Sequence, residues 1–153
     1  SSQCPAPYGF IPKSYCGPKT GHYAASREGR SDIRGDGDPL DICVLTERAI
    51  NHGGIQLTAR PIGGFRMFDG NEADDKILAV LVNDAAYGAI NDIADCPKTL
   101  VERLRHYFLT YKDMPGQSAR RVEISTIYGA EEAREVIRIA FADYNDVASL
   151  SQR

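Results

Sequence analysis

At 153 residues, with 42% hydrophobic and 25% charged side chains, the chain suits one globular domain over 1–153 with a sizeable core. Its net charge of −3 offers no basic surplus to a nucleic-acid backbone or an anionic membrane. The longest apolar runs, such as ILAVLV at 77–82, are far too short to span a bilayer, and no charged-then-apolar leader opens the sequence.

In chain order, residues 4–22 are rich in Pro and Gly and read as ordered loop with short extended pieces. Residues 24–38 are polar and read as exposed. Four strand-length stretches follow, LDICVLT at 40–46, IQLTARPI at 55–62, KILAVLV at 76–82 and RRVEISTIY at 120–128, each bounded by Gly, Pro, Asn or Asp. A helical period appears over 96–114, where Leu100, Val101, Leu104, Tyr107, Phe108 and Tyr111 recur at three- and four-residue steps. Asp95 suits its N-cap, with Pro97 in the first turn. A second helix over roughly 130–149 carries Ala133, Val136, Ile137, Ala140, Phe141, Tyr144 and Val147 on one face, with Glu131 and Glu132 at its positive end. Strands first and helices mostly last predict a curled sheet or barrel with helices packed outside.

Cys4, Cys16, Cys43 and Cys96 form no C-x-x-C pair, and only Cys16 and His22 approach zinc-ligand spacing. Reduced thiols are the expectation, with Cys43 a small core residue in mid-strand.

Two acidic stretches carry the chemistry. Asp36, Asp38 and Asp41 fall within six positions, and Asp36 and Asp38 share one side of an extended backbone. Asp69, Glu72, Asp74 and Asp75 follow, with Lys76 opening the next strand. If both loops meet at one rim of a sheet, their oxygens suit hard divalent cations. The competing reading is that Asp and Gly here simply make turns. An EF-hand fits Asp36, Asp38 and Glu47 by spacing but has Asp41 where its loop requires Gly. An Asp-x-Asp phosphatase nucleophile follows a strand, whereas this pair precedes one. Tyr111, Lys112 and Lys76 can hold phosphoryl oxygens, or be ordinary helix-face and solvated residues.

Together these residues resemble the soluble, family I inorganic pyrophosphatases. DGDPLDI at 36–42 matches the signature Asp-x-Asp-Pro-apolar-Asp-apolar. ARPIGGFRMFDGNEADDKILAV at 59–80 is similar to the second acidic loop, HYFLTYKD at 106–113 to the Tyr-Lys helix end, and PYGFIP at 7–12 to the Tyr-Gly segment. The motifs run in order over nearly the whole chain. The resemblance implies a mainly β fold with α, an OB-like five-stranded β-barrel with helices outside. It implies Mg²⁺, several ions per site, with Mn²⁺ or Zn²⁺ as substitutes. Asp36, Asp41 and Asp74 would ligate the principal ion, Asp41 bridging to a second, and Asp69 with Asp74 would serve further ions. Asp38 would accept the proton of a metal-bound water. Tyr8, Lys76, Tyr111 and Lys112 would hold the phosphate groups of pyrophosphate.

The resemblance also implies an upstream arm bearing barrel strands, a Lys and an Arg. No such arm precedes the Tyr-Gly segment here, so the expectation is a fold incomplete at its N-terminus, with unpaired edges and reduced activity. Cys4 stands where many members have Tyr, and Gly70 where many have an acid. His106 falls at an expected contact of a homo-oligomer, a hexamer or a dimer. The resulting expectation is a cytoplasmic enzyme hydrolysing pyrophosphate to two phosphates. The alternatives are a non-catalytic cation-binding module of the same fold, and an OB-type oligonucleotide binder that the acidic charge disfavours.

Overall fold

The computed structural model describes residues 4–50, 53–113, 116 and 122–151. Within it seven strands make one mixed sheet: β1 (Tyr8–Phe10), β2 (Arg34–Gly35), β3 (Asp41–Leu45), β4 (Ala59–Asp69), β5 (Glu72–Ala73), β6 (Lys76–Leu81) and β7 (Val122–Gly129). Three α-helices accompany it: α1 (Pro18–Glu28), α2 (Lys98–Thr110) and α3 (Ala130–Ser151). The strand path is β1-β3-β6-β4-β5-β2, with β7 paired to β4. Helices thus flank a mainly β domain, as expected. The sheet has seven strands and does not close among the described residues, where a five-stranded barrel was the expectation.

β6 is buried along its whole length, between β3 in parallel and β4 in antiparallel pairing. Side chains alternate across a strand, so its two faces feed two cores. Leu78 and Val80 join Cys43, Leu45, Phe65, Met67, Leu104 and Phe108 beneath α2. Ile77 joins Leu40, Tyr128, Ala133, Val136 and Ala140 beneath α3. Lys76 and Asp41 have the same parity as the first set, which puts them on the α2 side at one end of the sheet.

Helix α1 is a departure from the expected loop and exposed stretch. Pro18 occupies its first turn, where a missing N–H is harmless, and Gly29 ends it at φ +66°. Its packing face is Gly21, Ala24 and Ala25, too small to register as an apolar stripe. A Cβ on Gly21 would collide with the backbone of Gly35, and one on Gly35 with the Cys16 carbonyl. The two glycines let helix and strand touch backbone to backbone, which anchors the chain just before Asp36.

Other differences are local. β4 runs to Asp69, well past the expected strand at 55–62, with irregular register between Pro61 and Gly63 and between Arg66 and Met67. The bulges absorb Pro61 and the two glycines that read as a strand end, Gly63 and Gly64. Asp95 is not the N-cap of α2: Pro97 precedes the helix, and Asp95 closes a 3₁₀ turn (Ile93–Asp95) capped by Asp92. Helix α2 stops at Thr110, short of the expected 114, and Met114 lies outside the described residues, as do 120 and 121. On α3, Ala133, Val136 and Ala140 are buried as expected, but Phe141, Tyr144 and Val147 are 39%, 36% and 43% exposed. The buried stripe continues through Asp143 instead, for a reason given below.

Candidate active site

β3 and β6 pair in parallel with Asp41 opposite Lys76, which sets an acid beside a base at the same sheet end. Lys76 Nζ donates to Asp41 Oδ2 and to Asp74 Oδ1, both at 2.7 Å. The chain reaches Asp74 through a tight hairpin in which Asp69 pairs with Glu72. Gly70 supplies the positive φ, +61°, that such a two-residue turn requires. From the far side, Tyr111 and Lys112 form the turn that ends α2. Lys112 Nζ donates to Asp69 Oδ2 at 3.0 Å and to Asp74 Oδ2 at 3.4 Å. The negative end of the helix favours a cation there.

Asp36 and Asp38 arrive on a bend, not an extended strand. Gly37 takes φ +79°, and the Asp38 N–H donates to Asp36 Oδ1 at 3.0 Å. The bend turns Asp36 toward Asp74, whose charge it meets across the cavity. Burial, and then the charge of Asp74, push the Asp36 carboxyl up to about 7. Lys76 behaves oppositely. Burial alone would lower its affinity for a proton, but Asp74 and Asp41 more than offset this and hold it charged.

The result is a cavity of about 290 Å³ lined by Asp36, Asp38, Asp41, Asp69, Asp74, Lys76, Tyr111 and Lys112, with Glu72. Eight of the nine residues singled out in the sequence therefore meet in one place. The ninth, Tyr8, stands beside them on β1, its ring 6.0 Å from Lys76 Nζ and its hydroxyl in contact with Asp41 and Lys76. Glu72 is the lining residue that the motif reading left out; its signal was its place in the FDGNEADD run. Asp75, from the same run, does not face the cavity. In the link between β5 and β6 it turns inward, where Tyr128 Oη donates to it at 2.7 Å and Arg66 pairs with it at 3.9 Å. Burial pushes its carboxyl up to about 6.

Six carboxylates thus face two ammonium groups across the cavity. Among the described residues, no three acidic, thiol or imidazole groups stand close enough together to hold a metal ion as arranged. The reason is visible in the ion pairs: Lys76 and Lys112 draw the oxygens of Asp41, Asp69 and Asp74 toward themselves. The donor set still fits hard divalent cations. It is all oxygen, and it carries surplus negative charge. A larger cavity of about 680 Å³, between α1 and residues 30–37, has no acidic residue in its lining.

Comparison with known proteins shows the family. The family model for inorganic pyrophosphatase matches residues 1–145. The inorganic pyrophosphatase of Chlamydia muridarum is 52% identical over 148 residues, covering 94% of this chain and 71% of its own. The crystal structure of an inorganic pyrophosphatase from Neisseria gonorrhoeae superposes with a TM-score of 0.71 at 32% identity, covering 92% of this chain and 70% of that one. That from Helicobacter pylori gives 0.73 at 29% identity, covering 95% and 75%. Fold and likeness first define a class, a hydrolase on an OB-like sheet with flanking helices. Within that class, the chain belongs to the inorganic pyrophosphatase family.

Proposed function

We propose that the chain hydrolyses inorganic pyrophosphate to two phosphates with Mg²⁺, using the cavity between β3, β6 and the end of α2. One observation carries the reading: carboxylates from two separate loops converge on two lysines and a tyrosine in a single cavity. Bound divalent cations supply positive charge and acidify water.

The chain's own groups divide the remaining work. Asp36, Asp41 and Asp74 would hold the principal cation, and Asp69 with Asp74 would serve further ones. Lys76 and Lys112, now paired with Asp41, Asp69 and Asp74, would donate to phosphoryl oxygens of the substrate. Tyr111 and Tyr8 donate their hydroxyls to the same anion. Asp38, exposed at the mouth and held by the bend at Gly37, takes the proton from the attacking water at a carboxylate oxygen. Mn²⁺ and Zn²⁺ share the preference for such a site in part. A cytoplasmic homo-oligomer, with exposed His106 on α2 at a subunit contact, completes the proposal.

The test is phosphate release from pyrophosphate, titrated with Mg²⁺ and reversed by chelator. Saturable, Mg²⁺-dependent release supports hydrolysis. Calorimetric Mg²⁺ binding without release would replace it with a cation-holding module.

A further inference from the structure

Away from the cavity, two thiols stand in contact: Cys4 Sγ and Cys43 Sγ are 3.8 Å apart. We propose that Cys4 and Cys43 form a reversible disulfide, closed by a peroxide and reopened by a thiol reductant. A disulfide needs the sulfurs at about 2.05 Å, so closure asks for a movement of under about 2 Å.

The backbone is already pinned for it. Tyr8 pairs with Cys43 across β1 and β3, and the Val44 N–H donates to the Pro7 carbonyl at 2.9 Å. The segment bearing Cys4 therefore lies along β3 on the side of the Cys43 side chain. The two sulfurs also differ in character. Cys43 is fully buried, whereas Cys4 is partly exposed and open to a small oxidant. The contact with Cys43, against the effect of burial, holds the Cys4 thiol down to about 7.

These differences assign the roles. The Cys4 thiolate sulfur attacks one oxygen of hydrogen peroxide, the O–O bond breaks, and hydroxide leaves, giving a sulfenic acid on Cys4. The Cys43 sulfur then attacks the Cys4 sulfur and the S–O bond breaks. The departing hydroxide takes up the proton that Cys43 loses. In balance, two thiols and one hydrogen peroxide give one disulfide and two waters. The new bond ties the segment before β1 to β3, next to Tyr8 and so to the rim of the acidic cavity.

The experiment treats the full chain with equimolar hydrogen peroxide at neutral pH, blocks free thiols by alkylation, and analyses it unreduced by mass spectrometry. The expected result is the loss of two hydrogens and a peptide pair joining Cys4 to Cys43, both reversed by dithiothreitol. Substituting buried Cys43 endangers the fold, so the deciding variant is Cys4→Ser, which should abolish the pair and leave Cys43 alkylatable on unfolding. Cys16→Ala should keep the pair. Alkylation of both Cys4 and Cys43 after treatment overturns the proposal. So does a Cys4 sulfinic acid without cross-link, or a bond from Cys4 to any other cysteine.

Discussion

Asp143 Oδ2 on α3 accepts both the backbone N–H of Thr20, at 2.8 Å, and its hydroxyl, at 2.7 Å. The same carboxylate receives Gly17 N–H at 3.1 Å and Lys19 N–H at 3.0 Å, so one buried aspartate caps the whole N-terminus of α1. Gly17, at the N-cap position, has no side chain to do this itself. The cap explains why the buried stripe of α3 turns toward Asp143 and leaves Phe141 and Tyr144 outside. Because α1 in turn holds residues 34–35 just before Asp36, the contact also fixes one wall of the acidic cavity.

Asp143→Ala should therefore cost about 2 kcal/mol or more, at the upper end for a lost cap because several buried donors are orphaned together. Urea unfolding followed by circular dichroism measures it. Asp143→Asn should recover part of the loss, since an amide oxygen still accepts. Equal stability of the alanine variant and the parent would show that α1 docks by its small residues alone.

Asp38→Asn separates chemistry from architecture. Asp38 is exposed, and its backbone N–H, not its side chain, makes the bond that shapes the bend. The variant should unfold at the parent's temperature while phosphate release slows by about 10²- to 10⁴-fold, the range for loss of a general base. Release at an unchanged rate would take the proton-accepting role from Asp38.

What could be read from the sequence and what could not divide along physical lines. Asp36, Asp41, Asp69, Asp74, Lys76, Tyr111 and Lys112 stood out through the motifs that resemble the family, since type and spacing alone left turn-making and solvated readings open; the structure brings all seven to one cavity. The long apolar strands β3 and β6 were legible by length and composition. Helix α1 was not: its contacts run through Gly21 and Ala24, and its cap comes from 123 residues away along the chain. The inward turn of Asp75 was equally hidden, since nothing local distinguishes it from Asp74 in the link between β5 and β6. The extent of β4 was masked because its bulges tolerate Gly63 and Gly64, which locally read as a break.

Lys76 is 1% exposed and bridges Asp41 and Asp74. Lys76→Met keeps the length of the side chain but leaves two carboxylates facing each other without the ammonium. With chelator present, the variant should lose about 3 kcal/mol of stability, as expected when one partner of a buried ion pair is removed. Added Mg²⁺ should restore more stability to the variant than to the parent, because the cation takes over the position left by the ammonium. Phosphate release should still fall sharply, since the metal does not replace a lysine contact to substrate. Thermal unfolding with and without Mg²⁺ checks the first two outcomes. An identical Mg²⁺ shift in both proteins would count against cation binding at Asp41 and Asp74.

Behind the cavity, Arg66 is also 1% exposed and gathers Glu132 at 2.5 Å, Glu28 at 3.6 Å and Asp75 at 3.9 Å. The Arg66–Glu132 pair is an ion pair whose angle lies outside hydrogen-bond geometry. Burial works to raise the Glu132 carboxyl, but Arg66, helped by Arg27, holds it below the ordinary glutamate value. A carboxylate whose folded-state pKa is depressed binds protons more weakly folded than unfolded. Its stabilisation is present above the unfolded pKa, about 4.3, and disappears as pH falls through the folded one. Glu132→Gln should thus be less stable than the parent at about pH 6, and the gap should narrow toward about pH 3 as the parent's carboxylate protonates. Urea midpoints across that range give the comparison. Two parallel curves would mean that Glu132 contributes by packing against Arg66 and not by its charge.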